Sequence, residues 1–222
     1  MKYLTVGTKE LKNNMLYEVE DVENFNALKP RGGLWLSEQN ENLTYNRWID
    51  YLIEHPYTLR HKSKNNEIFI QPCTLVSLKE VAKIFRLETP EQYAYLINNY
   101  PHNSGKKFSY EDLSVDYDGI FVNIDTLTRL TSDWVLKENL DRFSINSLIL
   151  FNLDCIDYYQ SGEVHINPFK LEDDEDYYYD PKYNLAEYNY EIKIEDEKKK
   201  IEIKNNDKTK KRVRIYNEKI IH

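Results

Sequence analysis

An α+β fold is predicted for this chain by three observations. Short apolar runs alternate with polar residues between turn signals, two stretches carry capping boxes, and one further stretch repeats apolar residues at i, i+3, i+4 and i+7. An α+β domain with a small split or half-barrel antiparallel sheet and flanking helices is expected over residues 1–161. A C-terminal β-hairpin or meander appendage is expected over 162–222. At 222 residues the chain can bury a core without disulfide or metal staples.

The first element, "KYLTV" (Lys2 to Val6), has strand composition, and Thr8 can cap a brief helix through Lys9, Glu10 and Leu11 before Asn13-Asn14. Gly32-Gly33 then turn into an apolar strand, Leu34-Trp35-Leu36-Ser37. Tyr45, Trp48, Ile49 and Leu52 make one helical stripe, with Thr44 as cap and His55-Pro56 as stop. Glu67 to Cys73 reads as a strand. Ser77 to Glu80 has capping-box spacing and predicts a helix burying Leu78, Val81, Ala82 and Phe85.

A second box, Thr89-Pro90-Glu91-Gln92, starts a helix with Tyr93, Leu96, Ile97 and Tyr100 that ends at Pro101. A loop follows, then a helical turn at Tyr110 to Leu113 and a strand, Tyr117 to Ile124, launched from Asp-Gly. Thr131 to Leu140 is expected as a short helix or packed loop. Asn146 to Tyr159 is the most continuous apolar run, which predicts a strand at the centre of the sheet with a turn at Asn152 to Asp154. Tyr188, Tyr190, Ile192 and Ile194 alternate with polar residues, as do Ile201 and Ile203, so a hairpin is expected about "EDEKKK". Arg212 to Tyr216 can add a third strand.

The net charge of −8 argues against a protein that coats nucleic acid unaided, since phosphate contact needs a basic surplus. The charge is segregated, however. Glu172 to Asp176 is acidic and reads as a solvated linker, whereas Lys208 to Arg214 is basic and suits an edge strand or a phosphate-tracking face. No membrane-spanning run or signal-peptide core is seen, so a cytoplasmic protein is expected. Cys73 and Cys155 sit among apolar residues and read as core thiols in a reducing compartment. The five histidines have no metal-ligand spacing, and P-loop, His-Glu-x-x-His and Gly-x-Ser-x-Gly patterns are absent. No metal site is expected.

Three passages carry a resemblance. "KPRGGLWLSEQNENLTYNRWIDYL" is similar to a segment of ADP-ribosyltransferase-like proteins of bacteria and phages. "YLTVGT" resembles the first strand of the His-Tyr-Glu class of that family, and "FSINSLILFNLDCI" resembles its last core strand. The resemblance covers roughly Lys2 to Tyr159 and implies an NAD-binding module. It implies that Trp35 supplies a ring beneath the nicotinamide and that Gly32 and Gly33 admit the dinucleotide backbone. Ser37 would donate a hydrogen bond, Gly7 would offer backbone contacts and Arg31 would face the diphosphate. Read alone, Trp35 on an apolar strand is more often core, and Gly32-Gly33 is an ordinary turn.

The chain departs from the family at two positions. Val6 stands where the family has the histidine of a His-Gly-Thr triplet, and Asn146 stands where it has the glutamate. Asn146 is thus the candidate catalytic position, able to bond a ribose but carrying no charge. Asp141, Asp154 and Glu163 are the carboxylates expected to substitute from nearby positions. The resemblance implies an effector that modifies a macromolecule, a protein sooner than a nucleic acid. The competing reading is a non-catalytic phage or viral structural or interaction module that keeps the scaffold and engages a partner through β-strands in 188–216.

Overall fold

The computed structural model describes residues 2–12, 18–21, 30–43, 46–54, 69–104, 107–131, 136, 143, 145–167 and 189–201. Its strands are β1 (Lys2–Val6), β2 (Leu34–Gln39), β3 (Phe69–Leu78), β4 (Ile84–Leu87), β5 (Gly119–Val122), β6 (Ser147–Leu150), β7 (Ile156–Asn167) and β8 (Asn189–Ile194). The helices are α1 (Arg47–Glu54), α2 (Pro90–Asn99), α3 (Tyr110–Asp116) and α4 (Ile124–Leu130). The strands form one open sheet in the order β4-β5-β6-β2-β1-β3-β7-β8. Only the β4–β5 pair is parallel, as its crossover through α2 and α3 requires. The α+β class with a mostly antiparallel sheet is therefore as expected.

Strand register sorts the side chains onto two faces. One face carries Leu4, Trp35, Leu75, Leu87, Ile120, Ile149, Val164 and Ile192. Helices α2, α3 and α4 cover its β4–β6 half through Tyr93, Leu96, Leu113, Ile124 and Leu127, and α1 covers its other half through Ile49 and Ile53. The opposite face carries Tyr3, Leu36, Val76, Phe121, Leu148 and Tyr159, all buried although their cluster contains no residue of a described helix. The sheet buries this face by coiling on itself. Arg86 of β4 lies over the Phe121 ring at 4.5 Å and hydrogen-bonds Tyr3 of β1, although three strands separate β4 from β1. In a flat sheet that separation is about 19 Å, beyond any side chain's reach.

Local signals decide the helices that matched expectation. Thr89 and Gln92 form the reciprocal capping box of α2, with Pro90 at its start. Ser109 caps α3 and Asn123 caps α4. Helix α1 is capped by Asn46, whose Oδ1 accepts from the N–H groups of Trp48 (3.0 Å) and Ile49 (3.3 Å). The expected cap, Thr44, lies outside the described residues, as does Tyr45.

Other expectations are corrected by pairing across the sheet. The helix expected from Ser77 does not form: β3 pairs with β1 through Ser77 and with β7 through Leu78, a turn follows, and Ile84–Leu87 is a strand. Double-sided pairing outweighs the capping-box signal, and Val81, expected in the core, is 81% exposed. After Thr8 there is no helix; its hydroxyl donates to the Glu10 carbonyl and accepts the Glu10 N–H in a local turn. The strand expected over Tyr117 to Ile124 stops at Val122, and α4 takes up Ile124 onward. The run from Asn146 divides into β6 and β7 around the predicted turn, and β6 lies between β2 and β5.

The boundary expected between 161 and 162 falls inside β7, which continues unbroken to Asn167. Beyond it, β8 joins the same sheet, and the following chain stays along β7, with Lys199 bridging Tyr159. The two alternating runs of the expected hairpin therefore do not fold back on each other within the described residues. The acidic 172–176 segment, the basic 208–214 segment and the third expected strand, Arg212 to Tyr216, lie outside those residues. So does most of Thr131 to Leu140, although Leu136 is buried in the helix-covered core.

Asn46 ties three of these elements together and is fully buried. Besides capping α1, it accepts the Ser37 hydroxyl at 2.9 Å, and its Nδ2 donates to the Glu38 carbonyl and to Gln39 Oε1. Its own N–H donates to the Tyr190 hydroxyl of β8 at 2.7 Å. Asn46→Ala removes the cap, worth about 1 kcal/mol, and leaves buried polar groups unpaired at about 1–3 kcal/mol each. Chemical denaturation is expected to show a loss of about 3 kcal/mol; a loss below about 1 kcal/mol contradicts this role.

Candidate functional site

Strand β2 is the floor of the region that the sequence singles out. Gly32 and Gly33 approach it with φ of 74° and 70°, a backbone that favours glycine. The Gly32 carbonyl accepts the Trp35 indole N–H at 3.1 Å, so the turn and the ring hold each other. A Cβ on Gly33 would meet Ile149 Cγ2 at 2.7 Å and the Leu150 carbonyl at 3.1 Å. The space expected to admit a dinucleotide backbone at Gly33 is thus taken by β6 itself.

The other expected residues have distinct environments. Trp35 is half-buried on the helix-covered face, 5.8 Å from the Phe143 ring. Ser37 is 1% exposed and its hydroxyl donates a hydrogen bond to Asn46 Oδ1, so it supports α1 and faces no solvent. Arg31 is exposed and its backbone bridges Glu20. Gly7 is exposed at φ 109°, donates its N–H to the Pro72 carbonyl, and has nothing within 4 Å of a would-be Cβ. Among the expected glycines, Gly7 leaves open space.

Asn146 sits one residue before β6 and turns its carboxamide to α4. Its Oδ1 accepts the Asp125 N–H and its Nδ2 donates to Asp125 Oδ2, both at 3.2 Å. Asp125 Oδ2 also accepts from Arg47 Nη2 of α1 at 2.9 Å. Helices α1 and α4 cover the same face as Trp35, and this Arg47–Asp125–Asn146 chain joins them near Ser37. Asp125 was not singled out by the sequence; the signal was an acidic residue in the first turn of a helix that the strand reading of Tyr117 to Ile124 concealed.

The carboxylates expected to substitute for the missing charge at Asn146 are elsewhere. Glu163 lies on β7, four strands from β6, where hydrogen bonds from Lys9 and then His165 hold its carboxyl below the usual range. Asp154 is exposed, with its carbonyl bonded to the Lys79 ammonium. Asp141 is outside the described residues. Among the described residues no group of three or more His, Cys, Asp and Glu could hold a metal ion. Burial pushes the thiols of Cys73 and Cys155 up to about 12, which makes both poor nucleophiles.

A second polar cluster lies where the sheet closes. Glu38 Oε1 is buried without a hydrogen-bond partner, 3.8 Å from Arg86 Nη2, while Arg86 also binds Glu88 at 2.8 Å. Desolvation holds the Glu38 carboxyl above its usual range against the opposing pull of Arg86. The neighbouring Tyr3 phenol is raised too, first by burial and then by Glu38. Period-2 alternation in β2 could have marked Glu38 as a residue on the Leu34–Leu36 face; its meeting with Arg86 depends on coiling.

No family model, no curated protein and no solved structure matches the chain. Among the described residues no helix is long and apolar enough to cross a membrane.

Two stability measurements check this geometry. Gly33→Ala is expected to cost about 3 kcal/mol, combining backbone strain with displacement of Ile149, whereas Gly7→Ala meets strain alone and costs about 1–2 kcal/mol. Equal losses in denaturant titrations contradict the packing role of Gly33. Glu38 keeps its proton to higher pH folded than unfolded, so the stability it contributes is present below the ordinary value of 4.5 and lost as pH rises through the raised value. Glu38→Gln is therefore expected to melt above the parent near about pH 7 and to converge with it near about pH 4. A gap that instead widens toward acid refutes the assignment.

Proposed function

We propose that the chain is an ADP-ribosyltransferase-like NAD-binding module whose ligand lies between α1 and α4 over β2. The observation that carries this reading is topological. The three passages that resemble the family are far apart in sequence, yet they become β1, β2 and β6, and these are consecutive in the sheet as β6-β2-β1. A chance likeness of three short passages predicts no such adjacency. Trp35, the open Gly7 turn and Arg31 supply an aromatic ring, backbone groups and a cation, the three kinds of contact a dinucleotide uses. Gly32 and Gly33 shape the turn that holds Trp35. The substrate class is NAD, with a macromolecule, a protein sooner than a nucleic acid, as acceptor in a bacterial or phage setting.

A non-catalytic interaction module is the second reading, and β8 favours it. Within the described residues β8 pairs on one side only, with β7, so its other edge can accept an extended segment of a partner. Calorimetric titration with NAD separates the two readings. Saturable binding is expected, weakened about tenfold by Trp35→Leu in a variant whose melting temperature stays near the parent's. No heat of binding at millimolar NAD overturns the NAD reading and leaves the interaction module.

A further inference from the structure

We propose that β8 is a homodimer interface, pairing antiparallel with β8 of a second copy of this chain about a two-fold axis through Ile192. The inference rests on the reading of β8 as an interaction edge and is independent of NAD. The Glu195 N–H donates to the Ser161 carbonyl, and the same register sets Lys193 opposite Glu163 and Glu191 opposite His165. In an antiparallel ladder alternate residues turn their backbone groups to the same neighbour, so Glu191, Lys193 and Glu195 face β7. The N–H and C=O groups of Ile192 and Ile194 therefore point away from β7, to the side on which β8 has no strand neighbour among the described residues.

The side chains of this edge complement a second copy of themselves. Glu191 and Lys193 are exposed, lie one residue either side of Ile192 and form an ion pair at 3.1 Å. A two-fold axis at Ile192 sets Glu191 opposite the partner's Lys193 and Lys193 opposite the partner's Glu191, so four charges of alternating sign share one face. On the other face Ile192 meets the partner's Ile192, and Ile194 meets the partner's Tyr190. Ile194 and Tyr190 are only partly buried in the single chain. Moving the axis to Lys193 would oppose two lysines, which is unfavourable. An edge guarded against pairing repels its own copy, commonly with lysine, whereas this one carries both signs at symmetric positions. After Glu195 the next bridge to β7 is Lys199 with Tyr159, so Asp196 to Lys198 bulge opposite Gln160 and end the pairing surface.

Sedimentation equilibrium of the full chain tests the proposal. One six-residue strand per chain makes a small interface, so dimer is expected at about 100 µM and monomer at about 1 µM. Lys193→Glu and Glu191→Lys each set like charges opposite one another at both symmetric positions, and each is expected to weaken dimerisation at least about tenfold. Both side chains are more than half exposed, so melting temperatures are expected to stay near the parent's. An equal mixture of the two single variants restores opposite charges across the axis, as does the double variant. Both are expected to dimerise within about threefold of the parent. Single variants that dimerise as the parent does overturn the proposal, and so does a parent that stays monomeric at about 100 µM. In a monomeric parent, hydrogen exchange at Ile192 and Ile194 separates this failure from that of the reading beneath it. Fast exchange leaves β8 open to a foreign strand, whereas protection shows an edge covered within one chain and removes the interaction reading as well.

Discussion

Arg86, stacked on Phe121 and hydrogen-bonded to Tyr3, marks the closure on which the rest of the structure depends. Eight strands present two apolar faces, and the described helices cover one of them. Among the described residues the other face is covered where the coiled sheet brings Arg86 of β4 to Tyr3 of β1, and by Leu11, Leu153 and Cys155 from the loops. That is why Gly119–Val122 and Ser147–Leu150 are buried at every position, and why they read as continuous apolar runs without alternation. Closure also brings Glu38 beside Arg86 and desolvates one of its oxygens.

With one face closed in this way, the ring proposed to meet NAD lies on the helix-covered face. Strand β2 lies near the middle of the sheet and sends Trp35 and Ser37 to that side, Leu36 to the other. Asn46 then draws α1 down onto Ser37 while Asn146 and Arg47 bind Asp125 at the start of α4, so two helices from distant parts of the chain converge over one strand pair. Polar groups that look free in the sequence are used in this convergence. Ser37 is bound to Asn46 and the Trp35 indole N–H to the Gly32 carbonyl, so both are held within the fold.

The glycine pair before Trp35 shows how one feature can be legible while its reason is not. Two adjacent glycines ahead of an apolar run announce a turn with positive φ. That Gly33 must lack a side chain because Ile149 and Leu150 occupy the space depends on β6, more than one hundred residues later. The same holds for Ser77 to Glu80, whose capping-box spacing is real but loses to pairing with β1 and β7. The α2 box survives because Thr89 and Gln92 satisfy each other locally and no strand competes for them.

By itself the sequence determined the α+β class, the turns at the glycines, α2 with its cap, and the buried central run that became β6 and β7. Each of these rests on local forces: propensity, capping and the period of apolar residues. Only the tertiary structure decided that the expected boundary at 161 and 162 lies inside β7, that β8 completes the same sheet, and that the carboxylate beside Asn146 is Asp125. Ion pairs and strand order join residues by distance in space, and no local period in the chain encodes which carboxylate a folded sheet will set next to a given amide.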